Sequence, residues 1–197
     1  MARDRVVLAS ANPKKVAELR EILGDALDLV PRPTDVPEVV EDADTFLGNA
    51  RLKAAALRTA TGLAALADDS GLEVDALDGA PGVRSARYAG EDATDEENVA
   101  ALLAALADRP DPTDRRARFR CVLVLQRPDG SEVVADGTAE GHIATAVRGD
   151  GGFGYDPVFV PDEADGRTFA ELPADDKHAI SHRGRALASL TAQLAAT

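Results

Sequence analysis

Hydrophobic and polar positions along this chain change period several times, and each change marks an element. Val6–Ala9 is a short unbroken apolar run, the pattern of a buried strand. Asn12-Pro13 follows, with asparagine suited to cap a helix and proline to open one. Val16, Leu19, Ile22 and Leu23 then recur at helical spacing until Gly24 closes the segment. Leu27–Val30 predicts a second strand, and the acidic, proline-containing stretch Asp35–Asp44 predicts a loop. A second helix is expected over Thr45–Ala60, closed by Gly62. Leu63–Ala67 predicts a third strand that ends in Asp68-Asp69-Ser70-Gly71; Gly79–Gly82 reads as a turn and Glu96–Ala107 as a third helix.

The second half has a different rhythm. Asp108–Arg116 is rich in Pro, Asp and Arg and is the best candidate for a hinge between lobes. Phe119–Gln126 and Val133–Thr138 flank Pro128-Asp129-Gly130, which predicts a hairpin. Gly149–Gly154 is a glycine-rich loop, Val158–Val160 a further strand, and Ser181 the cap of a last helix with Leu187, Leu190 and Leu194 on one face. Strands alternating with helices early and a hairpin late predict one α/β domain over residues 1–197, a mixed sheet flanked by helices.

Composition narrows the possibilities. At 45% hydrophobic residues the chain is too apolar for disorder to dominate, and at 197 residues it can bury a core without a disulfide or structural metal. Cys121 is the single cysteine, so no disulfide forms within the chain and no zinc ribbon is possible. Met1 to Ala11 faintly mimics a signal peptide, but its apolar core is too short and Asn12-Pro13-Lys14-Lys15 follows at once. No apolar run is long enough to cross a bilayer, and a cytoplasmic location is expected. Lys+Arg 22 against Asp+Glu 35 gives a net charge of −13. That field repels nucleic acid and anionic lipid, so stable nucleic-acid binding and membrane attachment are not expected. A small anionic ligand would need a local basic pocket or a divalent cation.

Three cation placements run against electrostatic preference. Lys14 and Lys15 stand in the first turn of a helix, the positive end of its dipole, where backbone N–H groups bind anions. His182 and Arg183 repeat this on the last helix. Lys53 falls inside the apolar stripe of the second helix, where a lysine needs a partner. Each alone has an ordinary explanation, since first-turn lysines are cheap and a lysine can snorkel to water. Together they suggest one negatively charged ligand reached by several elements.

Asp68-Asp69 closes a strand, and adjacent strand residues point to opposite faces, so one carboxylate can face a given cleft. Glu41 is a second candidate oxygen ligand; a hard cation such as Mg²⁺ takes one or two carboxylates plus substrate phosphates. Gly149, Gly151 and Gly154 spell G-x-G-x-x-G, but a strand follows rather than a helix, which excludes a dinucleotide fingerprint. The same loop suits close backbone approach to a flat ligand, with Phe153 or Tyr155 to stack on it.

Six segments occur in order: Ser10-x-Asn12-x-x-Lys15, Thr45-Phe46-x-x-Asn49-Ala50-x-x-Lys53-Ala54, Ala67-Asp68-Asp69-Ser70-Gly71-Leu72, Gly79-Ala80-Pro81-Gly82-Val83-x-Ser85-Ala86-Arg87-Tyr88, Gly152-Phe153-Gly154-Tyr155-Asp156-Pro157 and Ser181-His182-Arg183-Gly184. In these the chain resembles the inosine/xanthosine triphosphate pyrophosphatase family, from Val6 to the last helix. Pro13-Lys14 departs from many relatives, and Asp108–Arg116 and Asp162–Thr168 carry no part of the likeness. The resemblance implies Mg²⁺-dependent hydrolysis of ITP, dITP or XTP to monophosphate and pyrophosphate. It implies an elongated α/β fold with two lobes and a central substrate cleft, and a homodimer. Carried over by position, Ser10, Ala11, Asn12, Pro13, Lys14 and Lys15 hold the phosphates, with Lys53 adding charge. Asp69 is the general base and, with Glu41, a metal ligand; Ser70 touches substrate. Phe153, Gly154, Tyr155, Asp156, Lys177, His182 and Arg183 form the nucleoside pocket. Two alternatives stand beside it. Leu8-Ala9-Ser10-Ala11-Asn12-Pro13-Lys14-Lys15 also resembles the opening of Maf-like pyrophosphatases, which act on pyrimidine or modified nucleotides. A non-catalytic nucleotide-binding protein would use the same residues without turnover.

Overall fold

The computed structural model describes residues 5–10, 13–23 and 27–196, with the side chains of Pro13 and Lys14 outside that description. The expected cap Asn12, its neighbour Ala11 and the helix stop Gly24 therefore lie outside the described residues.

Strand β1 (Arg5–Leu8) pairs in parallel with β2 (Asp28–Val30) and with β3 (Ala64–Val74), Val7 standing opposite Val30 and Ala65. Strands β4 (Arg116–Gln126) and β5 (Glu132–Ile143) continue the sheet, and β6 (Phe159–Pro161) pairs antiparallel with β5. The order β2-β1-β3-β4-β5-β6 makes one mixed six-stranded sheet, as the alternation of elements predicts. Helices are α1 (Pro13–Leu23), α2 (Phe46–Thr61), α3 (Asp95–Ala105), α4 (Ala174–Ile180) and α5 (His182–Ala195).

The signals that delimit α2 work as the sequence indicates. The Thr45 hydroxyl accepts the Gly48 N–H at 3.1 Å, and Gly62, at φ 68°, donates its N–H to the Arg58 carbonyl. That left-handed conformation is cheap only for glycine. Three expectations need correction. The third strand does not stop at Ala67; β3 runs through Asp68-Asp69-Ser70-Gly71 to Val74, so the two aspartates are mid-strand. The third helix begins one residue earlier than Glu96, behind a Thr94–Glu97 capping box. Ser181 precedes α5 but also ends α4, an element the sequence reading lacked.

The chain divides into two compact units, Met1–Asp69 with Cys121–Gly137 and Arg183–Thr197, and Ser70–Arg120 with Thr138–His182. Asp108–Arg116 lies wholly inside the second. In the first unit, Leu19 and Leu23 of α1 and Ala186, Leu187 and Leu190 of α5 pack with Val6, Leu8, Leu66, Cys121, Leu123 and Leu125 of the strands. Burial pushes the Cys121 thiol up to about 12, so it is an inert core residue. In the second unit, Val99, Leu102 and Leu106 pack with Leu72, Val74, Phe119, Ile143, Phe159 and Phe169.

Arg115 is buried in this second unit and donates to four carbonyls, Leu106, Arg109, Ile143 and Ala144. It ties the end of α3 to the end of β5. Nearby, Gly141 has no room for a side chain, because a Cβ there would collide with the Val160 carbonyl and lie 3.0 Å from Pro161 Cα. Gly141→Ala is expected to loosen the β5–β6 pairing and cost about 2 kcal/mol or more in a denaturant titration, in the range of overpacking at rigid backbone.

Candidate active site

The period-2 alternation of β3 sends its adjacent carboxylates to opposite faces, and each meets its own set of cations. Asp68 shares a face with Ala64 and Leu66, the side covered by α1 and α5. Its Oδ2 lies 3.0 Å from Lys15 Nζ, in the first turn of α1, and 3.8 Å from Arg183 Nη2, in the first turn of α5. Arg183 Nη1 also donates to Glu18 Oε2 at 2.6 Å. Burial would raise the Asp68 pKa, but Lys15, Arg183 and Lys53 outweigh it, and the carboxyl is held far below its ordinary range. The two misplaced helix-start cations thus share one buried counter-ion.

Asp69 faces the other way, toward α2 and the acidic loop. Lys53 Nζ stands between two carboxylates, 2.9 Å from Asp69 Oδ1 and 3.1 Å from Glu41 Oε2. One turn before Lys53, the buried Asn49 donates from Nδ2 to Asp69 Oδ2 at 3.3 Å and accepts the Ala43 N–H at 3.0 Å. A single amide therefore fixes both the Asp69 carboxylate and the loop that carries Glu41. Arg32 fastens the same region, donating to the carbonyls of Ala9, Val36 and Pro37. Burial pushes the Asp69 carboxyl up to about 6, opposed by Lys53 and aided by the nearby charge of Glu41. For Lys53 the order is reversed: burial disfavours its charge, but Asp69, Asp68 and Glu41 raise its pKa, so it stays an ammonium. A carboxylate with a pKa close to neutrality is suited to take a proton from water.

In the second unit, Asp156 organises the glycine-rich loop. Its Oδ2 accepts the Phe153 N–H at 2.8 Å and the Lys177 ammonium at 2.8 Å. It occupies the space where a Cβ on Gly152 would stand, and Gly152 has φ 73°. Lys177 Nζ also lies 5.1 Å from the centre of the Phe153 ring. The Tyr155 hydroxyl donates to the Ser85 carbonyl at 2.8 Å, so this ring is core and not a stacking surface. His182 stacks on Phe119 with ring centres 4.6 Å apart and 10° between planes.

Of the residues singled out in the sequence, Lys15, Asp68 and Arg183 come together, as do Glu41, Lys53 and Asp69, and as do Phe153, Asp156 and Lys177. Ser10 follows β1 and is half-buried, as is Ser70 within β3. The first turn of α1 enters this picture through Lys15, since Ala11 and Asn12 and the side chains of Pro13 and Lys14 lie outside the described residues. Sequence reasoning assigned no role to Asn49, Glu18 or Arg32. Asn49 alone gave a signal, as an amide on the apolar stripe one helical turn from Lys53.

Comparison with known proteins now decides the family. The profile of the Ham1 family matches residues 6–193. The chain belongs to the Ham1 family. It is 50% identical over 191 residues to a dITP/XTP pyrophosphatase of Streptomyces coelicolor, covering 94% of each chain. It is 53% identical over 189 residues to one of Shigella flexneri, covering 93% of this chain and 94% of that one. Among solved structures, a Ham1 protein of Coxiella burnetii matches with a TM-score of 0.90 at 45% identity, covering 98% of this chain and 99% of that chain. The Staphylococcus aureus Ham1 protein matches with a TM-score of 0.88 at 41% identity, covering 98% of both. The Maf-like alternative rests on residues 8–15 alone, whereas the Ham1 likeness spans both units and every segment described above.

Proposed function

We propose that this chain hydrolyses non-standard purine nucleoside triphosphates, dITP, ITP and XTP, to the monophosphate and pyrophosphate. The observation that carries the reading is the Asp69 carboxyl, pushed up to about 6 and held between Lys53 and Asn49 in a Ham1 chain whose relatives are dITP/XTP pyrophosphatases. Water attacks phosphorus, the α–β phosphoanhydride bond breaks, and pyrophosphate leaves. Such a reaction needs positioning and charge neutralisation more than covalent chemistry. Asp69 takes the proton of the attacking water, and Lys53 holds that carboxylate in place. Ser10 and the first turn of α1, with Lys14 and Lys15, hold the phosphates, and Ser70 touches substrate.

The donor set fits a hard divalent cation such as Mg²⁺. Glu41 and Asp69 offer oxygen atoms, and Lys53 already bridges them as a positive charge. No group of three or more His, Cys, Asp or Glu side chains among the described residues is placed to hold a metal by itself. A cation that takes its remaining ligands from phosphate and water suits that arrangement. Bound there by Glu41 and Asp69, it would neutralise phosphate charge.

Phe153 to Asp156 and Lys177 receive the nucleoside, with the Phe153 ring as the stacking surface. His182 and Arg183, consecutive at the start of α5, supply further hydrogen-bond donors. Hypoxanthine and xanthine present a 6-keto acceptor, while adenine presents a 6-amino donor. Adenine leaves those donors without partners, which costs a hydrogen-bonding site roughly 10⁴-fold in selectivity. No helix among the described residues is long and apolar enough to cross a membrane. The same reading expects a homodimer acting in the cytoplasm, the dimer to be checked by light scattering.

The test is pyrophosphate release with Mg²⁺ against ITP, XTP, GTP, ATP, dTTP and UTP in parallel. Turnover confined to ITP and XTP is the expected result. Preference for dTTP or UTP would transfer the chain's activity to pyrimidine nucleotides, and binding of ITP without pyrophosphate release would make it a nucleotide-binding protein.

A further inference from the structure

Helix α3 opens on three acidic residues, Asp95, Glu96 and Glu97, at the end of a helix that favours negative charge. Glu97 works locally, its Oε2 accepting the Thr94 N–H at 2.8 Å while its own N–H reaches the Thr94 hydroxyl. Asp95 does not. Its Oδ2 leaves the helix and accepts the Gly154 N–H at 2.7 Å, 59 residues along the chain but within the same unit.

Gly154 follows Phe153 at the tip of the glycine-rich loop and has φ 59°. A Cβ there would meet nothing within 4 Å, so the glycine serves backbone conformation and not packing. The rest of the loop is fixed from its inner side. The Gly151 N–H reaches the Ala170 carbonyl, the Phe153 N–H reaches Asp156, and the Tyr155 hydroxyl reaches Ser85. Asp95 holds the tip from the other side, at the peptide joining Phe153 to Gly154. The two carboxylates, Asp95 and Asp156, accept consecutive N–H groups on either side of Phe153.

We propose that Asp95 is a positioning residue for nucleoside recognition: by accepting the Gly154 N–H it fixes the peptide after Phe153 and so sets where the Phe153 ring stands. The inference rests on the reading of Phe153 as the nucleoside's stacking surface. A loop ordered in advance needs no ordering on binding, so removal of its anchor weakens affinity and leaves the phosphate chemistry alone. Asp95 is exposed, and α3 keeps its Thr94–Glu97 capping box and Glu96 without it, so the fold does not depend on this carboxylate. The hydrogen bond matters here, and an amide can make it too: Asn at this position retains an acceptor oxygen.

The experiment compares the parent chain with Asp95→Ala, Asp95→Asn and Phe153→Ala, using ITP with Mg²⁺, and follows exchange of the Gly154 amide in each. Asp95→Ala is expected to raise KM for ITP about three- to tenfold, the effect of one ordinary hydrogen bond, with kcat within about twofold. Its Gly154 amide should exchange faster, and its Tm should stay within about 2 °C of the parent, a shift below 1 kcal/mol for a chain of this size. Asp95→Asn should restore both KM and amide protection. The inference is overturned if Asp95→Ala leaves KM unchanged while Phe153→Ala raises it. It is overturned equally if Asp95→Asn loses as much affinity as Asp95→Ala, which would make the effect one of charge. A parent chain that leaves ITP intact overturns the proposed function itself, and this inference with it; normal turnover of ITP with no effect of Asp95→Ala overturns the inference alone.

Discussion

Asp69→Asn is expected to lower the rate of ITP hydrolysis by about 10²- to 10⁴-fold, the range for removal of a general base, with the fold retained. The amide keeps the shape of the carboxyl and one acceptor oxygen, so it can keep the bond from Lys53 or the one from Asn49 but not both, and it cannot accept a proton from water. The expectation is specific in pH. Only the ionised carboxylate can act as base, so in the parent chain the rate should rise with pH as this carboxyl ionises; burial places the metal-free group at about 6, and a cation held by it would move the rise to lower pH. The folded-state value lies above the ordinary value for an aspartate. Protonation therefore favours the folded state, and this group's contribution to stability is present in acid and lost as pH rises through 6. At neutral pH the buried negative charge is a cost, which Lys53 and Asn49 reduce. Titration of the Asp69 carboxyl carbon by NMR in metal-free protein checks the placement, and a value near 4 would remove the basis for the pH expectation. An Asp69→Asn chain that hydrolyses ITP at the parent rate would remove Asp69 from the base role.

Asp68→Asn is expected to act on stability as well as on rate. Asp68 is the buried counter-ion of Lys15 and Arg183, with its side chain 2% exposed. Removal of its charge leaves two cations beside a neutral amide, and a broken buried pair costs about 3–5 kcal/mol. For a chain of this size that corresponds to a fall in Tm of about 6–20 °C. The linkage runs opposite to that of Asp69. The folded-state pKa is depressed, so the stabilisation is present above the ordinary carboxylate range and is lost as pH falls through the depressed value. The gap between parent and variant should be full at pH 7, persist at pH 4 and close only in strong acid. Urea titrations at those pH values measure it. A Tm within about 2 °C of the parent at pH 7 would show that Asp68 holds no net stabilising pair.

These two neighbours show what was legible in the chain and what was not. The ends of α2 could be read because Thr45 and Gly62 act on backbone within four residues of themselves. The mixed sheet could be read because alternation of elements and the Pro128-Asp129-Gly130 turn are local signals too. Lys53 announced a partner because a cation on an apolar stripe has few ways to be stable, and its partners proved to be Glu41 and Asp69. The stop expected after Ala67 failed for the same reason that the site exists. Asp-Asp-Ser-Gly is turn-forming composition, yet β3 continues because each carboxylate is neutralised from its own side of the sheet and Leu72 and Val74 are buried beyond them. No local rule counts those distant cations.

The sequence by itself determined the element order, the acidic field, the mid-stripe lysine and the ordered segments that resemble the pyrophosphatases, because each depends on residues close together or on composition alone. Tertiary structure decided the rest. It divided two adjacent aspartates into a buried counter-ion and a carboxyl poised near neutrality. It gave Asn49 and Glu18 their partners, and it carried Asp95 from the start of α3 to the tip of the Phe153 loop. The physical reason is range. Helix caps and turns are settled by hydrogen bonds a few residues apart, whereas a carboxylate's pKa and a loop's position depend on burial and on charges that only folding brings near.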